Sequence, residues 1–424
     1  MIPRVRPSYS VAELLAAVRP GRDAVERFEQ ELADYFQARH ALVFPYGRSA
    51  VYCCLRALSP SGREVVQPAY NCVVVAHATV AAGCRPVFVD AQRQSPNQDP
   101  EAMAEQVGPG VAAVIPTSMF GFTFDAGALC AAIRRRNPQA LILLDCCQCF
   151  DARWHGERLT AQGDAALLAF GIGKPMTTLF GGALVTDRDD LADAVRRFRD
   201  VTFRNRTWPL VARRWVYFAA SWAAFCRPAV RLTDVIENGN TPLHRYLVQL
   251  RAREAIRLPA DNEVFMTPME AAVGRVQLRR VAQFLERRQQ IASVYAHQLR
   301  DLPGFDLLTW PDGSSYAIYA ARVAKPELRP RMLAAMRRHG VQGDTTLSYV
   351  VPGLECYRAH GYGEESFPNA TVWARSVINL PNHPTLDDRQ VHRVVDAVQN
   401  ALRAACTAPG DVRDELGAAS LRIK

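Results

Sequence analysis

The stretch Ala165-Ala-Leu-Leu-Ala-Phe-Gly-Ile-Gly-Lys174-Pro-Met-Thr-Thr-Leu-Phe-Gly181-Gly-Ala-Leu-Val185 places a lysine between two apolar runs. Lysine is rare in this chain of 424 residues, which has three lysines and 48 arginines. Arginine stays protonated and cannot form an imine, whereas a desolvated lysine can lose its proton and attack a carbonyl carbon. Lys174 is therefore a candidate for covalent catalysis, with a solvated loop lysine as the alternative.

Short apolar runs alternate with amphipathic segments on the N-terminal side of this lysine. The runs typical of buried strands are Ala41 to Phe44, Glu64 to Gln67, Pro86 to Asp90, Ala112 to Pro116 and Leu141 to Leu144. The segments with helical periodicity are Ser49 to Leu58, Cys72 to Ala82 and Ala126 to Arg136. This alternation predicts an α/β fold in which helices cover both faces of a mainly parallel sheet. Such sheets bind ligands beyond the carboxyl ends of their strands.

Two further segments place polar groups at the predicted strand ends. Leu141-Ile-Leu-Leu-Asp145 ends in a carboxylate and is followed by Gln148; a carboxylate there could instead cap a helix or be satisfied within the core. The turn Pro45-Tyr-Gly47-Arg48-Ser49 leads into a helix. The first N–H groups of that helix, the Ser49 hydroxyl and the Arg48 guanidinium can hold an anion. Pyridoxal phosphate (PLP) requires these three groups: an amine for its aldehyde, a carboxylate for its ring nitrogen and an anion site for its phosphate.

The motifs, taken in order, resemble the DegT/DnrJ/EryC1/StrS family of sugar aminotransferases. They extend from about Ala41 to Ala404 and comprise Glu64-Val-Val-Gln-Pro-Ala-Tyr, Gly83-Cys-Arg-Pro-Val-Phe-Val-Asp90, Val114-Ile-Pro, Asp145-Cys-Cys-Gln148, Gly163-Asp164-Ala, Lys174, Gly181-Gly182, Met266-Thr-Pro-Met-Glu-Ala-Ala and Leu380-Pro-Asn-His-Pro384. The resemblance implies fold type I of the PLP-dependent transferases. In that fold a large domain with a mainly parallel sheet is joined to a smaller C-terminal α+β domain.

The resemblance also implies a role for each matching residue. Lys174 would bind the cofactor aldehyde and later move a proton between substrate and cofactor. Asp145 would pair with the ring nitrogen, Gln148 would contact the ring, and the turn Gly47-Arg48-Ser49 would hold the phosphate. The implied reaction is a transamination, in which an amino acid, usually glutamate, loads the cofactor and a nucleotide-linked ketosugar accepts the amine. Family members are homodimers with active sites at the interface, so a second copy of the chain is an expected partner.

The chain departs from the family pattern at three positions. The family usually has a phosphate-binding serine five residues before the lysine, where this chain has Ala169; Arg48 is a candidate to compensate for its loss. The aromatic residue that commonly stacks on the cofactor ring corresponds to Cys72, with Tyr70 as a nearby substitute. The asparagine that reaches the phosphate of the partner subunit aligns near Glu263, with the neighbouring Asn262 as a candidate to replace it.

The segment of residues 201–257 is longer than the corresponding segment expected for the family, and it is strongly basic. This insertion holds ten arginines and three acidic residues, and the difference of seven accounts for most of the net charge of +9. Its aromatic stripe consists of Trp215, Phe218, Trp222 and Phe225, bracketed by Arg213, Arg214 and Arg227. The stripe predicts either a helix packed into the core or the dimer interface, or a helix within residues 210–231 that lies on an anionic membrane surface.

The composition, with 49% hydrophobic and 22% charged residues, is typical of a soluble globular protein. No stretch is long enough to span a bilayer, and the N-terminus lacks the apolar core of a signal peptide, which predicts a cytoplasmic protein with at most peripheral contact to the inner face of the membrane. We expect no nucleic-acid partner. We also expect no metal, because the C-x-x-C formed by Cys146 and Cys149 has no second pair at zinc spacing.

We predict three parts of the chain. Residues 1–265 form an N-terminal arm and the large PLP-binding domain, residues 266–406 form the small domain, and residues 407–424 form a disordered tail. Helices are expected from Thr267 to Leu302 and near Asp387 to Ala404. The predicted function is a PLP-dependent aminotransferase in polysaccharide or glycoside biosynthesis. The alternatives are a different PLP reaction, such as sugar dehydration, and a cofactor-free relative that acts as a binding or membrane-associated regulatory protein.

Overall fold

The structure, a computed structural model, describes residues 1–58, 63–224 and 255–407. Several predicted features lie outside this part of the chain. They are Phe225, the arginines at positions 227, 231, 245, 251 and 253, and residues 408–424 of the predicted tail. Among the described residues, no helix combines the length and the apolar composition that crossing a bilayer requires.

A sheet of seven strands forms the centre of the N-terminal half. Its strands are β1 (His40–Phe44), β2 (Glu64–Pro68), β3 (Arg85–Val89), β4 (Val111–Val114), β5 (Leu141–Asp145), β8 (Ala165–Ala169) and β9 (Gly182–Thr186), and a small hairpin consists of β6 (Arg153–Trp154) and β7 (Glu157–Arg158). The strand order is β1-β9-β8-β5-β4-β2-β3. Strand β9 runs antiparallel to both neighbours, and the other six strands share one direction. The carboxyl ends of these six strands therefore meet at one edge of the sheet.

Helices cover both faces of this sheet. They are α1 (Val11–Val18), α2 (Ala24–Phe36), α3 (Gly47–Leu58), α4 (Val73–Ala81), α5 (Pro100–Glu105), α6 (Ala126–Arg136), α7 (Asp189–Thr202) and α8 (Trp208–Ala224). One face packs with α2 and α6 in a core that includes Phe28, Leu32 and Ile133. The other face packs with α3 and α7 in a core that includes Cys54 and Val195. The predicted α/β architecture with a mainly parallel sheet is confirmed.

A long helix joins this sheet to the C-terminal half. Helix α9 (Pro268–Gln298) begins with a capping box, in which the side chains of Thr267 and Glu270 each accept a hydrogen bond from the backbone N–H of the other. It ends four residues before the predicted end at Leu302, because a turn containing Asp301 at a φ of 60° is followed by Pro303, whose ring disfavours a helical residue before it. Near its C-terminus, Tyr295 packs in a second core with Phe305.

That second core belongs to a small antiparallel sheet and its helices. The strands β10 (Phe305–Leu307), β11 (Tyr319–Val323) and β12 (Val377–Leu380) pair in the order β10-β11-β12. The helices are α10 (Leu328–Arg338), α11 (Glu355–Arg358), α12 (Pro368–Ser376) and α13 (Asp388–Thr407). The expected smaller C-terminal α+β unit is therefore present, and α13 matches the predicted terminal helix.

Candidate active site

The turn before α3 is held against strands β8 and β9 by a close backbone contact. A Cβ atom added to Gly47 would lie 2.9 Å from Cβ of Ala169, and one added to Gly182 would lie 2.4 Å from Cα of Gly47. Both distances are shorter than van der Waals contact, so this arrangement requires the absence of side chains at positions 47 and 182. The N–H groups of Gly47 and Arg48 at the start of α3 have no acceptor within the helix, and Ala169 at the end of β8 lies against Gly47.

Arg48 brings a cation to this turn. Its side chain is half-buried and lies over the ring of Tyr46, 5.5 Å from the ring centroid. Burial lowers the pKa of Arg48, and burial together with the charge of Arg48 lowers the pKa of His77 to about 4. Within the described part of the chain no carboxylate forms an ion pair with Arg48. A half-buried guanidinium without a counter-ion is suited to an anionic ligand.

Ser49 is placed differently from the prediction. Its side chain has 0% exposure, its hydroxyl donates to Oδ1 of Asn262 over 2.8 Å, and its backbone N–H donates to the carbonyl of Tyr46. The predicted phosphate contact of the Ser49 hydroxyl stays a prediction; in the structure this hydroxyl has no accessible surface and supports Asn262. The side chain that it holds, Asn262, keeps a buried Nδ2 donor that has no acceptor among the described residues.

The charges of Asp145 and Lys174 both influence the pKa of the Cys147 thiol. Asp145, which is 5% exposed at the end of β5, accepts the N–H of Cys147 over 3.0 Å. Burial raises the pKa of the Cys147 thiol well above its usual range; the charge of Asp145 adds to this effect and the charge of Lys174 opposes it. The described residues include no cationic side chain in an ion pair with Asp145. A buried carboxylate without an ion-pair partner and the lysine therefore both lie within electrostatic range of Cys147.

The loop that carries Lys174 connects β8 to β9 and is closed by backbone hydrogen bonds. Phe170 N–H donates to the carbonyl of Gly181 over 2.9 Å, and Thr178 N–H donates to the carbonyl of Phe170 over 2.9 Å. Lys174 itself is half-buried, and its N–H donates to the carbonyl of Gly171 over 3.1 Å. The position of the lysine is thus set by contacts within its own loop.

Gln148 and Cys72 lie beside this group, whereas Tyr70 does not. Gln148 is 7% exposed and its Oε1 accepts the N–H of Phe120 over 2.8 Å. Cys72 is half-buried and lies within electrostatic range of both Arg48 and Cys147. Tyr70 is 0% exposed and packs edge to face with Phe120 in the core. Its predicted stacking on a cofactor stays a prediction, and in the structure its ring packs within the core.

A buried ionic network lies behind the turn formed by residues 45–49, and the sequence pattern does not indicate it. The Tyr46 hydroxyl donates to Asp261 over 2.8 Å, and Arg214 donates to the Tyr46 hydroxyl over 3.0 Å and to Asp261 over 2.9 Å. Arg214 also lies 3.3 Å from Glu270 and is 2% exposed. Burial raises the pKa of Glu270 and the charge of Arg214 lowers it. The predicted role of Arg214 beside a membrane stripe is thus corrected, because its guanidinium is enclosed by two carboxylates.

The aromatic stripe of α8 also faces inward over its described length. Phe218 is 2% exposed, and its ring centroid lies 5.3 Å from that of Tyr9. The Trp222 ring stacks on Tyr9 at 5.9 Å, and Trp215 packs against Phe218 at 6.0 Å. The outward face of α8 is exposed, with 67% exposure for Val216 and 50% for Tyr217, and Trp208 at the start of the helix is 81% exposed. The core-packing alternative therefore describes Trp215, Phe218 and Trp222.

Comparison with known proteins identifies the family. The model of the DegT/DnrJ/EryC1/StrS aminotransferase family matches residues 15–220 and 247–399. The chain belongs to this family. Residues 221–246, which lie between the two matched stretches, fall within the predicted insertion.

Some relatives of this DegT/DnrJ/EryC1/StrS chain are named as transaminases, and at least one is named as a regulatory protein. The dTDP-3-amino-3,4,6-trideoxy-alpha-D-glucose transaminase of Streptomyces venezuelae is 27% identical over 380 residues, which cover 88% of this chain and 86% of that protein. The pleiotropic regulatory protein of Geobacillus stearothermophilus is 23% identical over 388 residues, 90% of each chain. The structure of Spr1654 from Streptococcus pneumoniae in its PLP form has a TM-score of 0.75 at 18% identity and covers 95% of this chain and 99% of that chain.

Proposed function

We propose that the protein is a PLP-dependent aminotransferase that transfers an amino group from an amino acid, with glutamate as the expected donor, to a nucleotide-linked ketosugar. The observation that carries the proposal is the pairing state of the buried charges at this edge of the sheet. Within the described chain neither Asp145 nor Arg48 forms an ion pair, although the charge of Asp261 reaches Arg48, and each of the two fits one part of PLP. A protonated ring nitrogen would complement Asp145, and the phosphate would complement Arg48.

Each residue at the sheet edge has a chemical task in this proposal. When bound, PLP supplies a ring that accepts electrons from the reacting carbon. The amine of Lys174 holds the cofactor and then carries a proton to and from the substrate carbon. Asp145 keeps the facing ring nitrogen protonated. Arg48 and the first N–H groups of α3 hold the phosphate, while the Ser49 hydroxyl fixes the Asn262 amide beside the turn.

Arg48 is the residue that we propose to replace the phosphate-binding serine of the family. Ala169 packs directly against Gly47, so position 169 adjoins the turn but provides no hydroxyl group. A guanidinium offers up to five donors and a permanent charge, whereas a hydroxyl group offers one donor. The cradle of this chain therefore relies on charge where the family pattern relies on a neutral hydrogen bond.

The test is to follow cofactor and product separately. We expect the purified protein to be yellow, and borohydride reduction should fix the cofactor to the peptide that contains Lys174. Incubation with glutamate and a panel of nucleotide ketosugars, followed by mass spectrometry, should yield a nucleotide aminosugar. A colourless protein that takes up no added PLP would instead favour a binding or regulatory role, as the name of the Geobacillus relative suggests for that protein. Dehydrated sugar products without nitrogen would favour the alternative PLP reaction.

We also propose that two copies of the chain associate, and that residues 1–265 and 266–406 act as a large and a small domain in the cytoplasm. The antiparallel sheet β10-β11-β12 has its own core around Tyr295 and Phe305, which supports this division. Light scattering of the purified protein should give twice the chain mass of 47.1 kDa. A value equal to one chain would remove the dimer from the proposal.

A further inference from the structure

Two arginines beside Lys174 lack counter-ions, in contrast to their neighbours. Arg4 pairs with Asp344 over 2.8 Å, and Arg280 pairs with Glu13 over 2.7 Å. Neither Arg6 nor Arg288 forms an ion pair with any carboxylate in the described chain. Both line a small cavity together with Lys174, between the N-terminal arm and helix α9. The charged side chains that line this cavity are therefore all cationic: two guanidinium groups without an ion pair and one amine.

Arg288 is the more deeply buried of the two. It is 5% exposed, and its Nη1 donates to the carbonyl of Ala317 over 2.9 Å and to the carbonyl of Asn382. Its Nε is buried and has no acceptor among the described residues. Burial lowers the pKa of Arg288 to about 10. The two carbonyl contacts fix the guanidinium but do not neutralise it, so an anionic group would still be stabilised beside it.

His383, which lines an adjoining cavity with Arg288, adds no negative charge. It is 2% exposed and shares its hydrogen bonds with the Pro3 carbonyl and the Thr385 hydroxyl. Burial lowers the pKa of His383 to about 3, and the charges of Arg288, Arg6 and Arg4 act in the same direction. The carboxylate of Glu13 accepts a hydrogen bond from Gln277, which lines the cavity, but this carboxylate is paired with Arg280. Arg6 and Arg288 therefore keep no ion-pair partner of their own among the described residues.

We propose that Arg6 and Arg288 form a second anion-binding site, separate from the phosphate turn, that takes a carboxylate of the amino-acid donor. This inference rests on the proposed function for the identity of its ligand. The α-carboxylate of an amino acid is bonded to the carbon from which Lys174 would remove a proton, so it must lie close to that lysine. The diphosphate of a nucleotide sugar is separated from the reacting carbonyl by the sugar ring and would lie farther away. A planar guanidinium also matches the two oxygens of a carboxylate.

The N-terminal arm forms one wall of the site. The cavity that Lys174, Arg6 and Arg288 line has room for about one water molecule, so a carboxylate requires the wall to shift. The arm from Arg4 to Ser8 forms no helix or strand, and Arg6 is half-buried on it. Local movement of the arm would admit the ligand and then bring Arg6 onto it.

The experiment measures binding without turnover. Glutarate, a dicarboxylate that has no amine and cannot react, is titrated calorimetrically into the PLP-loaded protein, and UDP is titrated in parallel. We expect Arg6→Gln to raise the glutarate Kd at least tenfold and to leave the UDP Kd within twofold. The half-saturating glutamate concentration for the spectral change of the bound cofactor should rise to a similar extent. Arg288→Lys, which keeps the charge but loses the planar fork, should also weaken glutarate binding.

Arg280→Gln is the matched control, because it removes an arginine that is already paired with Glu13. We expect this variant to lower thermal stability and to leave the glutarate Kd unchanged. Equal glutarate affinity in the wild type and Arg6→Gln would overturn the inference, as would weakening by Arg280→Gln to the same extent. Selective loss of UDP binding in Arg6→Gln would assign the site to a diphosphate instead. If no ketosugar is aminated but glutarate binding still depends on Arg6, only the proposed reaction fails.

Discussion

The sheet edge and helix α8 both bury charge, but they treat it in opposite ways. At the sheet edge, Asp145 is 5% exposed and has no cationic partner in the described chain, and Arg48 has no acidic one. On α8, Arg214 is 2% exposed and lies within 3.3 Å of two carboxylates, those of Asp261 and Glu270. In a buried ion pair, each charge offsets part of the desolvation cost of the other. A lone buried charge raises the free energy of the folded protein until a ligand compensates it. Paired charges thus indicate structure, and unpaired charges indicate a binding site.

Substitutions in the two regions should affect different quantities, activity at the sheet edge and the free energy of unfolding on α8. Removal of an unpaired charge at the sheet edge should impair chemistry and leave the free energy of unfolding unchanged or increased. Removal of one member of the paired network on α8 should lower the free energy of unfolding, because its partners are left charged and buried. Activity and stability therefore need to be measured on the same variants.

The largest effect is expected for Lys174→Ala. This variant removes the amine that would hold the cofactor and move the proton, so turnover of glutamate and ketosugar should be undetectable. Its unfolding free energy in urea should stay within about 0.5 kcal/mol of the wild type, because Lys174 is half-buried on a loop and forms no ion pair within the described chain. Turnover at a measurable fraction of the wild-type rate would contradict the assignment of the lysine.

Arg214→Met is expected to give the largest loss of stability. The substitution leaves Glu270 buried without a cation and Asp261 with only the exposed Arg213, which costs about 3–5 kcal/mol in the free energy of unfolding. The control is Arg213→Gln, since the Arg213 side chain is 54% exposed in its pair with Asp261; an exposed pair contributes about 1 kcal/mol or less. Similar losses for the two variants would show that burial does not distinguish the two arginines.

Asp145→Asn should reduce the rate and spare the fold. An amide cannot keep the facing ring nitrogen protonated, and loss of a charge-assisted hydrogen bond of ~1.5–3 kcal/mol corresponds to a tenfold to hundredfold lower rate. Single-turnover absorbance measurements with glutamate would report this step, and urea unfolding should show equal or greater stability than the wild type. An unchanged rate would remove Asp145 from its proposed role.

The smallest effects are expected for the tryptophans of α8, which extend the same contrast to apolar side chains. Trp222→Ser should lower the free energy of unfolding by about 1–2 kcal/mol, because this ring stacks on Tyr9. Trp208→Ser should leave stability unchanged, because Trp208 is 81% exposed. If α8 contacts an anionic membrane, it must use its exposed side chains, so Trp208→Ser should weaken co-sedimentation with anionic vesicles. Vesicle binding that is absent in the wild type would end the membrane proposal.

The sequence predicted the parts of the molecule that depend on local pattern. Apolar runs located the strands, and the stretch from Gly47 to Leu58 was recognised as a turn and a helix because its periodicity is local. The Ser49 contact was missed because its partner, Asn262, lies 213 residues away. For α8, periodicity showed which residues share a face but not which face is packed. The partner of its stripe, Tyr9, belongs to the N-terminal arm, and no sequence spacing connects the two.

The loop of residues 170–181 has a consequence for motion on the time scale of amide hydrogen exchange. Because Phe170 N–H bonds to Gly181 and Thr178 N–H bonds to Phe170, the two ends of the loop are fastened to each other. Opening either end requires strand β9 to separate from β8, so these amides should exchange through the same slow event as the strands themselves. The backbone at Lys174 then stays fixed, and the reach of its amine is set by rotation about the bonds of four methylene groups and not by loop motion.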